Sequence, residues 1–268
     1  MTKINDLDIT KWKELTEVWT DSLWIIPQRD NSGAHSGHYH GNFVPQIPHQ
    51  LLTRYTKAGD FVLDPFSGSG TTLIEAQRMN RNSIGIELQD VVANEAIKRV
   101  HSEKKEGIIA DTFFNDSRTF DTDLILSTYK IKNVQFILYH PPYWDIIKFS
   151  DDPNDLSNSP SLNDFLNSFS KVVENTIKIL EKNRYCAVVI GDKYANSEIV
   201  PLGFYCMQVM QAQGLQLKAI IVKNFEETKG KANQKALWKQ RALKNGLYLF
   251  KHEYIMVFRK IKSNKKAK

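Results

Sequence analysis

The sequence predicts an α/β fold built on a doubly wound, mostly parallel sheet of seven strands with an antiparallel last strand. Short apolar stretches alternate with amphipathic helical ones, which indicates parallel strands joined by helices. Residues 134–139 (VQFILY) are almost wholly apolar, as in a strand that is buried on both faces. Residues 215–222 and 252–259 have no such helix between them, which favours an antiparallel pair. The length of 268 residues suits a single domain of this kind.

Hydrophobic spacing places the elements along the chain. Trp12, Leu15, Val18, Trp19 and Leu23 predict a helix over 10–24, followed by a loop rich in glycine and histidine. Two prolines predict an extended segment at 43–48, before a helix over 49–57. Seven strands are predicted at 61–64, 83–87, 108–110, 134–139, 185–190, 215–222 and 252–259. The remaining helices are predicted over 71–80, 90–104, 162–181 and 200–213.

The composition is that of an ordinary globular protein, with 41% apolar and 25% charged residues. No run of eighteen apolar residues suggests a membrane span, and the first six residues are too polar for a signal peptide. Cys186 and Cys206 lie in predicted core segments without metal-ligand spacing. We therefore expect a cytoplasmic protein with two buried, reduced thiols.

Positive charge is concentrated in the C-terminal part of the chain. The net charge is +6, but residues 223–268 hold fourteen Lys and Arg against three Glu. Such a segment on a mildly acidic body indicates a polyphosphate partner. Residues 260–268 read as a solvated basic tail. Residues 223–251 differ because Trp238, Tyr248 and Phe250 are interleaved with the charges, so this basic insert is a candidate target-recognition element.

A glycine-containing turn connects the strand predicted at 61–64 to the following helix. A strand, a glycine turn and a helix N-terminus present free backbone N–H groups to a cleft. Glycine permits the turn and the close approach of a ligand. The candidate cofactor-binding residues of this turn are Asp64, Pro65, Phe66, Ser67, Gly68, Ser69, Gly70, Thr71 and Thr72.

The residues of the turn narrow the choice of cofactor. Thr71-Thr72 follows Gly70 where a phosphate-binding P-loop has Lys-Ser/Thr, which argues against ATP. A dinucleotide fingerprint would have a third glycine near Leu73. S-adenosylmethionine has no phosphate, so a single tight turn beside its methionine part is sufficient. Glu87 ends the next strand and could accept both ribose hydroxyls, although that role would suit NAD equally well.

The segment His140-Pro141-Pro142-Tyr143 follows the strand at 134–139 and indicates amine methylation. An exocyclic base amine is a poor nucleophile, and acceptors at a strand end can bind its hydrogens and localise its lone pair. Two prolines leave carbonyls without spare N–H donors. Tyr143 offers a flat face for a base rotated out of its stack. We therefore predict a methyl donor and an amino-group acceptor, with alignment and electrostatics supplied by the protein.

Segments 64–72, 84–87 and 140–143 resemble motifs of the amino-group DNA methyltransferases, which act on N6 of adenine or N4 of cytosine. Segments 152–158 and 191–192 are also similar to that family, and segment 43–50 is similar to its stretch under the methionine part of the cofactor. The resemblance covers most of residues 43–225. It implies a Rossmann-like methyltransferase sheet, S-adenosylmethionine as cofactor and DNA as substrate, in a restriction-modification context in which a cognate restriction nuclease is a candidate partner.

The resemblance also implies roles for individual residues. Asp64 corresponds to the aspartate that binds the methionine amino group, and Glu87 to the acid that binds ribose. Asp116 corresponds to the acid that contacts adenine, with Asp111 as the competing choice. Gln46 and Pro48 fall in the segment under the methionine part.

One departure from the family affects the choice of target base. Where this chain has His140, the family usually has Asp, Asn or Ser. A neutral imidazole with a suitable tautomer can accept one hydrogen bond, so the role can survive. Cytosine and adenine both stay open, although Trp144 and the missing aspartate favour cytosine. No Pro-Cys nucleophile supports cytosine C5 methylation.

The chain has no large separate recognition domain, so we expect the 223–251 insert and the 25–42 loop to read the target. Phosphate contacts are expected from basic residues of the insert, which are Lys229, Lys231, Lys235, Lys239 and Arg241. Trp238 and Tyr248 could stack on bases or pack in the core. Asp192 could touch the base or simply end a strand.

Other interpretations stay open at this stage. His35, His38 and His40 share one loop but lack carboxylate or Cys partners, so we predict no metal and expect the loop to order over cofactor or nucleic acid. An RNA or protein-glutamine methyltransferase would also suit a Pro-Pro-Tyr strand end. A catalytically silent nucleic-acid-binding relative and, more distantly, a nicotinamide oxidoreductase are the alternatives from other classes.

Overall fold

The computed structural model describes residues 3–35, 37, 39, 41–225 and 235–261 of the chain. Its strands are β1 Leu23–Trp24, β2 Phe61–Asp64, β3 Asn82–Glu87, β4 Ala110–Phe114, β5 Val134–Tyr139, β6 Leu180–Ile190, β7 Lys193–Ala195, β8 Glu198–Val200, β9 Leu215–Asn224 and β10 His252–Lys260. Its helices are α1 Gln46–Tyr55, α2 Thr71–Arg78, α3 Asp90–His101, α4 Thr122–Thr128, α5 Leu162–Ile177, α6 Leu202–Ala212 and α7 Lys235–Asn245.

Eight of these strands form one sheet in the order β1-β9-β10-β6-β5-β2-β3-β4, and β7 and β8 form a separate hairpin. Strand β10 runs antiparallel to both β6 and β9, and the other pairs of the sheet are parallel. The predicted mostly parallel sheet with an antiparallel last strand is therefore confirmed. The predicted seven strands become eight because Leu23 and Trp24 pair with Val222 and Lys223 at the edge.

The helix predicted over 10–24 is wrong. Only Ile9–Glu14 is helical, as a 3-10 helix without buried residues, and Trp12 is 64% exposed. Side chains of α1 bind the backbone that a longer helix would have paired internally: Gln50 accepts from the Trp19 amide and donates to the Glu17 carbonyl. The apolar spacing in this segment therefore does not mark one face of a helix.

The segment predicted as extended at 43–48 also differs, because α1 begins at Gln46. Pro48 lies in the first turn of this helix, where an amide has no intrahelical acceptor and proline costs nothing. Helices α4 and α7 and the β7–β8 hairpin lie outside the elements that the hydrophobic spacing indicated.

Helices cover both faces of the sheet. On one face α5 and α6 bury Phe169, Cys206 and Met210 against Ile137 and Val188. On the other face α1 buries Ile47 and Leu51 against Val62, Phe136 and Leu138. Both cysteines are buried free thiols, as predicted. Within the described residues, no helix is long and apolar enough to cross a membrane.

The connections reverse direction between β2 and β5. From β2 the chain builds outward through β3 and β4, whereas β5 lies on the other side of β2 and continues to β6. Strands β2 and β5 are parallel neighbours, with Leu63 opposite Ile137. Their carboxyl ends therefore lie side by side at the place where open α/β sheets bind ligands.

The turn after β2 generates a prediction about stability. Gly70 has φ +83°, and a Cβ there would lie 2.9 Å from Val100 Cγ2. Gly59 has nearly the same φ, +81°, with no heavy atom within 4 Å of its Cβ position. Gly59→Ala isolates the left-handed backbone cost of about 1–2 kcal/mol. Gly70→Ala should cost at least about 1 kcal/mol more because α3 must also shift. Equal losses in urea unfolding would contradict this close packing.

Candidate active site

One cavity of about 940 Å³ opens at the carboxyl ends of β2, β3 and β5. Residues from both motifs singled out in the sequence line it. The predicted site residues at its wall are Asp64, Pro65, Phe66, Ser67, Gly68, Ser69, Thr71, Thr72, Glu87, Asp116, His140, Pro141, Pro142 and Tyr143. Gly70 does not reach the wall but forms the turn that precedes α2. The two strand ends therefore share one space.

The turn after β2 is tight, and its glycines allow an aromatic ring to cover it. The Gly70 amide donates to the Ser67 carbonyl at 2.8 Å, and the Ser67 amide donates to the Ile86 carbonyl on β3. Gly68 has φ +48°, and a Cβ there would lie 3.1 Å from the ring of Tyr39. Tyr39 also lines the cavity. The ring therefore packs on the turn and forms part of the cavity wall next to it.

Two buried carboxyl groups face this space. Glu87 accepts the Gly68 amide at Oε2 and the Gln89 amide at Oε1, both at 3.0 Å. These bonds fix the carboxyl group and leave a second lone pair on each oxygen for a ligand hydroxyl. Burial raises the pKa of Glu87 to about 7 and that of Asp64 to about 6. Hydrogen-bond donors on a ligand would stabilise the ionised form of both carboxyl groups.

Of the two aspartates considered for adenine contact, Asp116 lines the cavity and Asp111 does not. The Arg118 guanidinium binds the Asp116 carboxylate with its Nη2 at 2.6 Å from Oδ2. Asp111 instead accepts the Tyr129 hydroxyl at 2.7 Å. Position therefore favours Asp116, as the resemblance implied.

Gln46 and Pro48 do not line the cavity, so for these two residues the sequence-based prediction is not supported by position. The Gln46 amide group bonds the Gln28 carbonyl and the Asp30 amide, which holds the incoming loop. The start of the same segment, at Phe43 and Val44, does line the cavity, as does the preceding Asn42. Because α1 begins at Gln46, the chain turns away from the cavity there.

The segment after β5 connects to two charged residues that the sequence analysis did not single out. The Tyr143 hydroxyl donates to Glu253 Oε2 at 2.8 Å, and Lys223 Nζ lies 3.2 Å from Glu253 Oε1. His140 Nε2 lies 3.4 Å from the Tyr143 oxygen. Burial lowers the pKa of His140 to about 4, so its imidazole is neutral near pH 7. The available signal was the position of these two residues, since Lys223 directly follows the apolar run 219–222 and Glu253 directly precedes the apolar run 254–258.

The sequence left alternative roles open for Asp192, Trp238 and Tyr248, and the structure gives the surroundings of each. Asp192 accepts the Gly203 amide and the Tyr254 hydroxyl, so both its oxygens have partners although it lines the cavity. Trp238 of α7 lines the cavity, whereas Tyr248 is 87% exposed and does not pack in the core.

The basic residues of the insert are only partly described. Lys229 and Lys231 lie outside the described residues, as do 262–268 of the tail. Lys235 begins α7, and only its backbone is described. Lys239 and Arg241 are exposed on α7, where the Arg241 guanidinium lies 5.1 Å from the Trp238 ring centre.

His35 is buried, and its Nε2 lies 2.7 Å from Glu75 Oε1. Glu75 Oε2 contacts His49 Nδ1 at 2.9 Å, and Arg78 Nη1 lies 3.2 Å from Glu75 Oε1. Asp30 completes this group of potential ligands, but the guanidinium already supplies the positive charge that a metal would bring. His38 and His40 lie outside the described residues. The prediction of no metal stays a prediction.

Comparison with known proteins agrees with this geometry. Residues 3–98 match the family model N6_N4_Mtase, described as DNA methylase. The chain is 35% identical over 89 residues to the Type II methyltransferase M.MjaII of Methanocaldococcus jannaschii, covering 32% of this chain and 17% of that protein. It is 35% identical over 102 residues to M2.DpnII of Streptococcus pneumoniae, covering 37% and 35% respectively. The matches therefore span about a third or less of these relatives.

Solved structures show the same fold at low identity. The [4+2]-cyclase SpnF superposes with a TM-score of 0.55 at 12% identity, over 85% of this chain and 89% of that one. TrmN from Thermus thermophilus gives 0.51 at 16% identity, over 82% and 49%. The sequence matches bear out the predicted resemblance to the amino-group DNA methyltransferases and support S-adenosylmethionine as the cofactor. The solved structures confirm the Rossmann-like fold.

The raised carboxyl pKa values generate a prediction about cofactor binding. If Asp64 and Glu87 bind the ammonium and the ribose hydroxyls of S-adenosylmethionine, as the resemblance implies, binding favours the ionised carboxylates and should release protons. We expect the Kd to rise about tenfold from pH 7.5 to pH 6, because both pKa values lie near this range. Calorimetric titration in buffers of different ionisation enthalpy measures the affinity and the proton release together.

Glu87→Gln provides the control, since an amide keeps an acceptor oxygen but does not titrate. The pH dependence of the Kd should be much weaker in this variant, and an unchanged dependence would contradict the assignment.

The pH dependence of folding stability has the opposite sign to that of cofactor binding. Glu87 holds its proton more tightly in the folded chain, so its contribution to stability falls as the pH rises from 4.5 towards 7.

Proposed function

We propose that this protein transfers a methyl group from S-adenosylmethionine to the exocyclic amine of a DNA base, at cytosine N4 or adenine N6. The observation that carries the proposal is the shared cavity, which is lined by the turn 64–72 and by residues 140–143. A donor methyl group and an acceptor amine must lie in one space in line with each other, and the parallel β2–β5 pair brings the two motifs together.

In this proposal the cofactor residues act by binding and orientation. Asp64 would accept hydrogen bonds from the methionine amino group, and Glu87 would accept them from the ribose hydroxyls. Asp116 would contact the adenine. When bound, S-adenosylmethionine supplies an electrophilic methyl group on a good leaving group. The shared lining supports this placement, because Asp64, Glu87 and Asp116 all lie at the wall of the same cavity.

Residues 140–143 would bind and orient the substrate amine. The Pro141 and Pro142 nitrogens carry no hydrogen, so the segment offers acceptors to the amine hydrogens. The neutral His140 imidazole is a further acceptor. It can take the proton that the nitrogen loses as the nitrogen–carbon bond forms and the sulfur–carbon bond breaks, with the electron pair staying on sulfur. The ring of Tyr143 supplies a stacking face for a base rotated out of the helix. The base must leave its stack because the motif lies within a cavity.

The basic insert would position the duplex. Lys239 and Arg241 are exposed on α7, whose Trp238 reaches the cavity wall. Phosphate contacts from these residues, together with Lys229, Lys231 and Lys235, would hold DNA over the cavity mouth. The Type II names of the relatives favour a restriction-modification role with a cognate nuclease as partner.

Methyl transfer to DNA tests the proposal directly. Unmethylated DNA incubated with labelled S-adenosylmethionine should yield N4-methylcytosine or N6-methyladenine on nucleoside analysis. Asp64→Ala and Tyr143→Ala should each lower the rate at least about 100-fold because the reactants lose their alignment, and Tyr143→Ala should still bind cofactor. Label found only in RNA or in protein glutamine would support another substrate class. Cofactor binding without any transfer would contradict the proposal.

The salt dependence of DNA affinity tests the role of α7. Lys239→Glu with Arg241→Glu should weaken binding across sequences and lower the slope of log K against log salt by about 1 for each lost phosphate contact. Lys171→Glu, an exposed change on α5, is the matched control and should leave the slope unchanged apart from the general charge effect. Equal slopes in both variants would exclude α7 from the DNA interface.

A further inference from the structure

We propose that Glu253, held by Lys223, is a positioning residue that fixes the tautomer of His140 through the Tyr143 hydroxyl. In the resulting tautomer Nε2 carries the proton and Nδ1 is the acceptor offered to the substrate amine. This inference rests on the proposed function and names the group that replaces the usual Asp, Asn or Ser at this strand end.

The anchor of the relay is a buried ion pair between neighbouring strands. Lys223 on β9 and Glu253 on β10 are direct cross-strand partners. They are 5% and 8% exposed, and Lys223 Nζ lies 3.2 Å from Glu253 Oε1. A buried carboxylate with a paired ammonium is held in one orientation. Its other oxygen, Oε2, therefore points reliably at Tyr143.

Tyr143 transmits this orientation because it has a single hydroxyl hydrogen. A carboxylate can only accept, so the 2.8 Å contact with Glu253 Oε2 takes that hydrogen. Burial, together with the negative charge of Glu253, raises the pKa of Tyr143 well above its ordinary value, and the hydroxyl stays protonated. The ring is also seated by Gly191, since a Cβ there would lie 3.0 Å from Tyr143 Cε2.

The tautomer of His140 follows from these roles. Its Nε2 lies 3.4 Å from a Tyr143 oxygen that has already donated its hydrogen and can now only accept. Nε2 must therefore carry the imidazole proton, which leaves the lone pair on Nδ1. The His140 ring packs edge to face on the Phe43 ring with 4.6 Å between the ring centres, and this contact limits the rotation of the imidazole. His140 lines the cavity, and in this proposal Nδ1 is the acceptor that the substrate amine meets there.

The test reads the tautomer itself and needs no DNA. Long-range ¹⁵N–¹H correlation spectra of the protein at pH 7 distinguish a protonated Nε2 from a protonated Nδ1. We expect His140 to show the Nε2–H form. In Tyr143→Phe the acceptor oxygen is lost, and we expect a mixture. Tyr129→Phe removes the hydroxyl of another tyrosine–carboxylate pair, outside the cavity, and should leave the His140 signals unchanged.

Glu253→Gln links the tautomer to catalysis. The amide can donate to the Tyr143 oxygen, and the freed hydroxyl hydrogen can then turn to His140 and favour the Nδ1–H form. Methyl transfer to DNA should fall about 100-fold, while the Kd for S-adenosylmethionine should change less than twofold. An Nδ1–H or doubly protonated His140 in the wild type would overturn the proposal, as would variants that leave its tautomer unchanged. A wild-type Nε2–H form without any DNA methylation would instead count against the proposed function.

Discussion

The parallel pairing of β2 with β5 is the constraint on which the site depends. These strands are adjacent in the sheet although β3 and β4 separate them in sequence. Each ends in a segment that cannot continue the ladder, a glycine turn after Asp64 and a double proline after His140. Both ends therefore open into one cavity. Close packing on both faces of the sheet leaves the strand ends little freedom to separate.

Burial determines the charge state of the groups around this cavity. It raises the pKa values of Asp64 and Glu87, lowers that of His140, and forces Lys223 and Glu253 to pair. The cofactor side therefore holds carboxyl groups that gain from cationic and hydroxyl donors. The acceptor side holds a neutral imidazole and prolines. This division suits the joining of a cationic methyl donor to a neutral amine, since each side favours the partner it would bind.

The sequence was most informative where local pattern and burial coincide. Strand β5 was placed at its observed bounds because residues buried on both faces must be apolar. Most of the turn 64–72 and all of residues 140–143 line the cavity, since glycine and proline restrict the backbone strongly at these strand ends. The prediction of a helix over 10–24 is wrong because the side chains of Gln50 and Arg54 on α1 form hydrogen bonds with the backbone at 17–19. Glu253 was not singled out because its partner Lys223 is thirty residues away, and only the cross-strand register joins them.

A crystal structure with S-adenosylhomocysteine and a short DNA duplex would test the central claim most directly. The account predicts the cofactor product beside Asp64 and Glu87, and an extruded base on the face of Tyr143 with its amine directed at the sulfur. A cofactor product bound elsewhere, or a base held outside the cavity at 140–143, would contradict it.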